Sequence, residues 1–296
     1  MKKIRKAILP VAGFGTRFLP ATKSQPKEML PIVDKPVVQY LVEEAVAAGV
    51  EEIIFVTGRG KRAIEDHFDV SYELEETLVE KNKHDLLKAV RRISRLARFT
   101  YVRQPMPLGD GHAILQASHL IGNEPALVLF GDCLYDSQTP AAQQIIDAYF
   151  TYGGSIIGAD VVAREDVSKF GVMEGTKINR NTYRVQRILE KPFPEETSSR
   201  VVAVGKYVVT PEIFSILGKM KHGRSGEIRL ADAFAIALER SLPLYSHVLE
   251  GTWLDTGDKF NFVRATIHLG LKHPEIGAKL RSYLKTVHFP PQRDKK

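Results

Sequence analysis

The chain has 296 residues, 44% hydrophobic and 26% charged, with 42 Lys and Arg against 35 Asp and Glu for a formal net charge of +7. That length allows one large domain or two ordinary ones, and the composition excludes disorder as the dominant state. The lone Cys133 excludes an intrachain disulfide and a cysteine-cluster metal site. No apolar run approaches the ~20 residues that span a bilayer, so a cytoplasmic protein without a membrane partner is expected.

The basic start Met1-Lys2-Lys3-Ile4-Arg5-Lys6 runs into Ala7-Ile8-Leu9, but Pro10, Gly13 and Arg17 break the apolar stretch. It reads as a first buried strand over 7–11 rather than a signal peptide. A helix over 37–48 closed by Gly49, a strand over 52–57 closed by Gly58, and helices over 64–68 and 72–81 follow. From Lys81 to Arg103 the chain carries Lys81, Lys83, Lys88, Arg91, Arg92, Arg95, Arg98 and Arg103 against Asp85. Leu86, Leu87, Val90, Ile93 and Leu96 recur there at helical intervals, which predicts an amphipathic helix with a basic solvated face. Aromatic residues do not interleave the helical charges as single-strand stacking requires, so a nucleic-acid partner is not expected. Strands over 100–103 and 126–130 flank a helix over 112–120. This alternation predicts βαβ units.

After Gly153 the texture becomes β-branched, with strands over 155–162, 171–174, 182–189 and 201–209. Helices over 211–217 and 227–240, a strand over 245–249 and a helix over 258–271 complete the pattern. From Phe289-Pro290-Pro291 onward a polar tail is expected. The expected fold is an α/β three-layer sandwich around a mostly parallel mixed sheet, in one domain over 1–296. Residues 258–285 form a helical C-terminal extension and a candidate oligomerisation element. A two-domain split near Gly153 is the alternative.

The strongest local signal is Pro10-Val11-Ala12-Gly13-Phe14-Gly15-Thr16-Arg17, directly after the first strand. A glycine-rich turn there lets backbone N–H groups approach an anion. Phe18 at the third glycine position departs from the dinucleotide fingerprint, and no Gly-Lys-Ser/Thr follows to make a Walker A loop. Arg17, Lys23, Lys27 and Lys35 then cluster downstream, a charge pattern suited to a triphosphate. The nine histidines lack metal-ligand spacing.

Gly13-x-Gly15-Thr16-Arg17-x-x-Pro20, Pro26-Lys27-Glu28-Met29-Leu30-Pro31 and Asp34-Lys35-Pro36 with Gln39-Tyr40 resemble the sugar-1-phosphate nucleotidyltransferases, and most closely the bacterial UTP–glucose-1-phosphate uridylyltransferases. The resemblance continues in order through Ile64–Asp69, Arg103-Gln104, Leu108–Ala113, Gly131-Asp132, Phe170-Gly171-Val172, Leu189–Pro192, Val204–Tyr207, Gly226-Glu227-Ile228, Leu230–Ala233 and Asp255–Lys259. The 67–81 stretch favours the uridylyl branch over the shorter thymidylyl relatives. Three positions depart from the pattern: Asp110 between Gly109 and Gly111, Cys133-Leu134 after Asp132, and Ala231 before Asp232.

The resemblance implies a Rossmann-like nucleotide-diphospho-sugar transferase fold and the reaction of UTP with glucose 1-phosphate. It assigns Ala12, Gly13, Gly15, Thr16, Glu28, Gln104 and Gly109 to the nucleotide, with Arg17 and Lys27 on the leaving phosphates. Gly171, Glu190 and Lys191 fall to the sugar phosphate, and Asp132 and Asp255 to Mg²⁺. An amide at Gln104 can donate to and accept from a uracil edge. Mg²⁺ takes few carboxylates and keeps phosphate oxygens, so this pair suits it. A phosphate monoester is already anionic at pH 7, so no general base is required. A homo-oligomer, dimer or tetramer, is expected. The alternatives are a glucose-1-phosphate thymidylyltransferase and a non-catalytic paralogue that binds sugar nucleotides.

Overall fold

In a computed structural model of the chain, residues 1–220 and 226–287 are described. The expected tail from Phe289 lies outside them. Strand β1 (Lys6–Pro10) leads through a loop and three single 3-10 turns to the two-residue strands β2 (Pro31–Ile32) and β3 (Lys35–Pro36). Helix α1 (Val37–Ala47), strand β4 (Glu52–Thr57), helices α2 (Arg62–Phe68), α3 (Tyr72–Glu80) and α4 (His84–Ser94), and strand β5 (Arg98–Arg103) follow. Next come α5 (Asp110–Gln116), α6 (Ser118–Ile121), β6 (Ala126–Leu129), β7 (Cys133–Asp136) and α7 (Ala141–Tyr152). The second half holds β8 (Ser155–Val161), β9 (Gly171–Lys177), β10 (Thr182–Glu190), β11 (Val201–Val209), α8 (Pro211–Lys219) and α9 (Leu230–Glu239). It closes with β12 (Leu244–Val248), β13 (Thr252–Asp255), α10 (Lys259–Lys272) and α11 (Gly277–Thr286).

Nine strands form one sheet in the order β5-β4-β1-β6-β11-β8-β12-β10-β9 among the described residues. Pairing is parallel across β5, β4, β1 and β6 and between β8 and β12, and antiparallel at the other neighbours. The sheet is mixed as expected but not mostly parallel: four neighbouring pairs among the described residues are parallel and four antiparallel, because the hairpin-like second half pairs largely antiparallel while the βαβ first half stays parallel. Ala7, Ile8 and Leu9 are all fully buried because both faces of the sheet are covered. Ala7 and Leu9 pack into the layer with Leu41 of α1 and Ile145 of α7, while Ile8 packs with Ile114 of α5, Leu217 of α8 and Phe234 of α9. Alternate side chains of one strand therefore feed two helix layers.

A buried ion pair ties these layers together. Lys206 of β11, fully buried, donates to both carboxylate oxygens of Glu44 on α1 at 2.9 Å. Glu44 Oε1 also accepts the Ala142 N–H (2.9 Å) at the start of α7. One carboxylate thus joins a central strand to two helices.

Three expectations need correction. Leu86 stays 56% exposed while Leu87 is buried, so the apolar stripe of α4 is narrower than its spacing suggested. The helix expected from 227 starts at Leu230, because Ile228 instead exchanges backbone bonds with the 108–112 segment: its N–H donates to Leu108 O (2.8 Å) and its carbonyl accepts His112 N–H (3.2 Å). Helix α7 and the antiparallel pair β7–β13 were not foreseen.

Candidate active site

Because β1, β4, β5 and β6 run parallel, their carboxyl ends share one sheet edge, the edge at which α/β sheets bind ligands. The loop after β1 turns at Gly15, which has φ 66 and whose carbonyl accepts the Phe18 N–H (3.0 Å) and Thr22 Oγ1–H (2.7 Å). Ala12 and Gly13 line a cavity of about 290 Å³ together with Lys27, Gln104, Gly109 and Asp132. Gln104, buried, is fixed at three points. Its N–H donates to Thr57 O (2.8 Å), and its amide donates to Gly109 O (3.0 Å) and meets His112 Nδ1 at 3.0 Å. Gly109 has φ 102, and a Cβ there would lie 2.5 Å from Ile228 O, so only glycine fits.

A second cavity of about 260 Å³ opens beside the first. Arg17, Gly171, Glu190, Lys191, Tyr207 and Asp255 line it. Register places Gly171 of β9 opposite Glu190 of β10. Lys191 leaves the strand in the left-handed region (φ 47), its N–H donating to Phe170 O (3.0 Å) and its Nζ 3.8 Å from Glu190 Oε1. Asp110 and Phe130 border both cavities, which makes them two ends of one cleft.

The short β7–β13 pair brings the acidic centre together. Asp255 pairs with Cys133, the residue after Asp132, and the Thr256 N–H and hydroxyl both donate to Asp132 O (2.8 and 2.9 Å). Lys27 Nζ donates to Asp132 Oδ2 at 2.6 Å. Burial alone would push the Asp132 carboxyl up, but Lys27 outweighs it and holds the carboxyl below the ordinary range. Asp255 is held above that range by burial and by Asp132. A Cβ placed on Gly257 would lie 3.0 Å from Asp255 Oδ1, 3.2 Å from Asp132 Oδ2 and 3.4 Å from an Arg17 guanidinium nitrogen. The glycine leaves a gap there, bordered by two carboxylate oxygens and one cation.

A family model for nucleotidyl transferases matches residues 6–270. The chain belongs to the nucleotidyl transferase family. UTP–glucose-1-phosphate uridylyltransferase YngB of Bacillus subtilis is 48% identical over 286 residues, which cover 97% of this chain and 96% of that protein. The crystal structure of a UDP-glucose pyrophosphorylase complexed with UDP-glucose superposes with a TM-score of 0.83 and 41% identity, covering 92% of this chain and 100% of that one. A UTP-bound UDP-glucose pyrophosphorylase of Acinetobacter baumannii reaches a TM-score of 0.89 at 35% identity, covering 97% and 100%.

The transferase thus gathers most residues expected from its sequence into one cleft. Gly15 and Thr16 border neither cavity and form the turn that precedes Arg17. Glu28 lines the first cavity; it is 1% exposed, its carboxylate accepts from Lys61 (2.9 Å) and its stem packs under Gly131. Sequence reasoning missed Lys61, Tyr207, Lys169 and Gly257. Lys169 directly precedes the recognised Phe170-Gly171 stretch and Gly257 lies within Asp255–Lys259, so both carried a signal; Lys61 carried none.

Proposed function

We propose that this transferase moves the UMP moiety of UTP onto glucose 1-phosphate, releasing pyrophosphate and UDP-glucose. The observation that carries this reading is one cleft whose two cavities share Asp110 and Phe130, with Asp132 and Lys27 lining one and Arg17 and Asp255 the other, the two carboxylates and Arg17 meeting beside Gly257. The activity named for its relatives supports uridylyl over thymidylyl transfer.

The uracil fits the cavity lined by Gln104 and Gly109, and the sugar fits the one lined by Gly171 and Glu190. An oxygen of the sugar phosphate forms a bond to the α-phosphorus of UTP while the bond from that phosphorus to the bridging oxygen breaks in line. The attacking oxygen is already anionic near pH 7. The chain's work is therefore to hold two mutually repelling anions together and to balance charge on departing pyrophosphate. Lys191 holds the sugar phosphate, Lys27 meets the growing charge from the nucleotide end, and Arg17 reaches it from the other cavity, beside Asp132 and Asp255. Before substrate arrives Lys27 is balanced by Asp132, and a triphosphate gives it a second anionic partner.

Mg²⁺ suits the place beside Gly257, since hard carboxylate oxygens of Asp132 and Asp255 converge there. Asp132 and Asp255 would hold the ion, which when bound supplies charge neutralisation on the triphosphate. The same reading includes a cytoplasmic location. It also includes a homo-oligomer, supported by the exposed Phe260, Val263 and Ile267 at helical spacing on α10. Among the described residues no helix is long and apolar enough to cross a membrane.

Pyrophosphate release tests the proposal, measured with each common nucleoside triphosphate crossed with several sugar 1-phosphates. UTP with glucose 1-phosphate should be fastest. A clear preference for dTTP, or no turnover in any combination, would overturn it.

A further inference from the structure

The transfer chemistry leaves Asp110 without a role, although it stands where the two ends of the cleft meet. It opens α5, and its Oδ1 accepts the Leu230 N–H (2.9 Å) that opens α9. Backbone bonds between Ile228 and the 108–112 segment fasten both flanks, so the carboxylate is a fixed part of the wall. Burial holds its carboxyl above the usual range, and the charge of Glu190 adds to that rise. Two carboxylates therefore sense each other at one cavity. Phe130, Tyr207 and Leu230, which line the cavity with Asp110, bring no positive charge; Arg17, Lys169 and Lys191 line it too, and the charge of Arg229 offsets part of the rise at Asp110.

A fixed carboxylate in a small cavity acts on a sugar in two ways. It accepts hydrogen bonds from ring hydroxyls, and it repels a second negative charge more strongly than water would allow. We infer that Asp110 sets the charge the sugar can carry, admitting hexose 1-phosphates with neutral hydroxyls and rejecting those with an anionic ring substituent, such as a hexuronic acid 1-phosphate. This inference rests on the sugar 1-phosphate reading above.

A hexuronic acid 1-phosphate and its uronamide have nearly the same shape and differ by one charge, so comparing them separates repulsion from fit. Their inhibition constants against glucose 1-phosphate are to be measured at pH 8 in the unmodified enzyme and in Asp110→Asn. The asparagine keeps an oxygen to accept from Leu230 and removes the charge; Asp110→Ser serves as a second neutral variant should the first not fold. The unmodified enzyme should bind the uronamide about tenfold or more tightly over the uronate, the size that repulsion between nearby unit charges keeps after screening. Neutral variants should lose most of that ratio. A purely structural clip would weaken both compounds alike, and an unchanged ratio would overturn the inference, as would the absence of a preference in the unmodified enzyme. If the unmodified enzyme does not turn over glucose 1-phosphate at all, the functional reading itself has failed, and this inference falls with it.

Discussion

Asp132 is held from several sides at the centre of the cleft. Lys27 bonds its carboxylate, Thr256 bonds its carbonyl twice, and Cys133 Sγ lies 3.5 Å from its Oδ1. Its charge is therefore placed rather than merely present, and preorganised charge is what lowers a phosphoryl-transfer barrier. Asp132→Asn keeps the size and the backbone bonds but removes the charge. Turnover should fall by about 10²–10³ or more, by analogy with the loss of one preorganised group, while far-UV circular dichroism stays native. Near-normal turnover at ordinary Mg²⁺ would contradict the assignment. The sequence made Asp132 and Asp255 legible because each sits in a distinctive short stretch. It could not show that Lys27 rests on Asp132, since that contact depends on where two loops of distant origin meet. Glu28 illustrates the same limit: it lines the nucleotide-end cavity as its stretch suggested, but Lys61, which no pattern singles out, is the partner that takes up its charge.

At the scale of elements, legibility followed burial. The strands β1, β4 and β11 were readable because both faces are covered, which leaves continuous runs such as Ala7-Ile8-Leu9. Strands β7 and β13 are four residues each and, among the described residues, pair with one another alone, so neither shows a period long enough to read. Yet this pair sets the distance between the two acidic groups of the site. The bond from Lys206 to Glu44 was equally invisible, because a lysine inside a strand pattern reads as solvent-facing. Removing one partner of a buried pair leaves an uncompensated charge, which costs about 3–5 kcal/mol. Lys206→Met should therefore destabilise the fold by roughly that amount. The double variant Lys206→Met with Glu44→Leu should recover much of the loss in urea unfolding, although Ala142 N–H then lacks its acceptor. Equal stability of Lys206→Met and the unmodified chain would show that the pair is not what joins the layers.

At the scale of the whole molecule, stability should depend on pH through two half-buried histidines. Burial holds His67 and His247 below the ordinary imidazole range. The unfolded chain then binds protons first as pH falls through about 6.5, so this stabilisation is complete above that value and is lost below it. Carboxyls held high by burial, Asp110 and Asp255, act in the opposite sense at lower pH, so a variant is needed to isolate the histidines. Between pH 7.5 and 5.5 His247→Gln should lose less Tm than the unmodified chain, by about 2–4 °C for each kcal/mol removed. An identical fall in both would exclude His247 as a source.

The cleft as a whole rests on a division between a nucleotide end and a sugar end. Lys27 belongs to the first and Lys191 to the second, on opposite sides of the shared Asp110 and Phe130. Titration calorimetry with UTP alone, on Lys27→Ala and Lys191→Ala, tests that division most directly. Lys27→Ala should lose UTP affinity by tenfold or more, whereas Lys191→Ala should bind UTP nearly as the unmodified chain does and fail only in its use of glucose 1-phosphate. If Lys191→Ala loses UTP affinity as severely as Lys27→Ala, both lysines serve one phosphate cluster and the two-ended cleft is wrong.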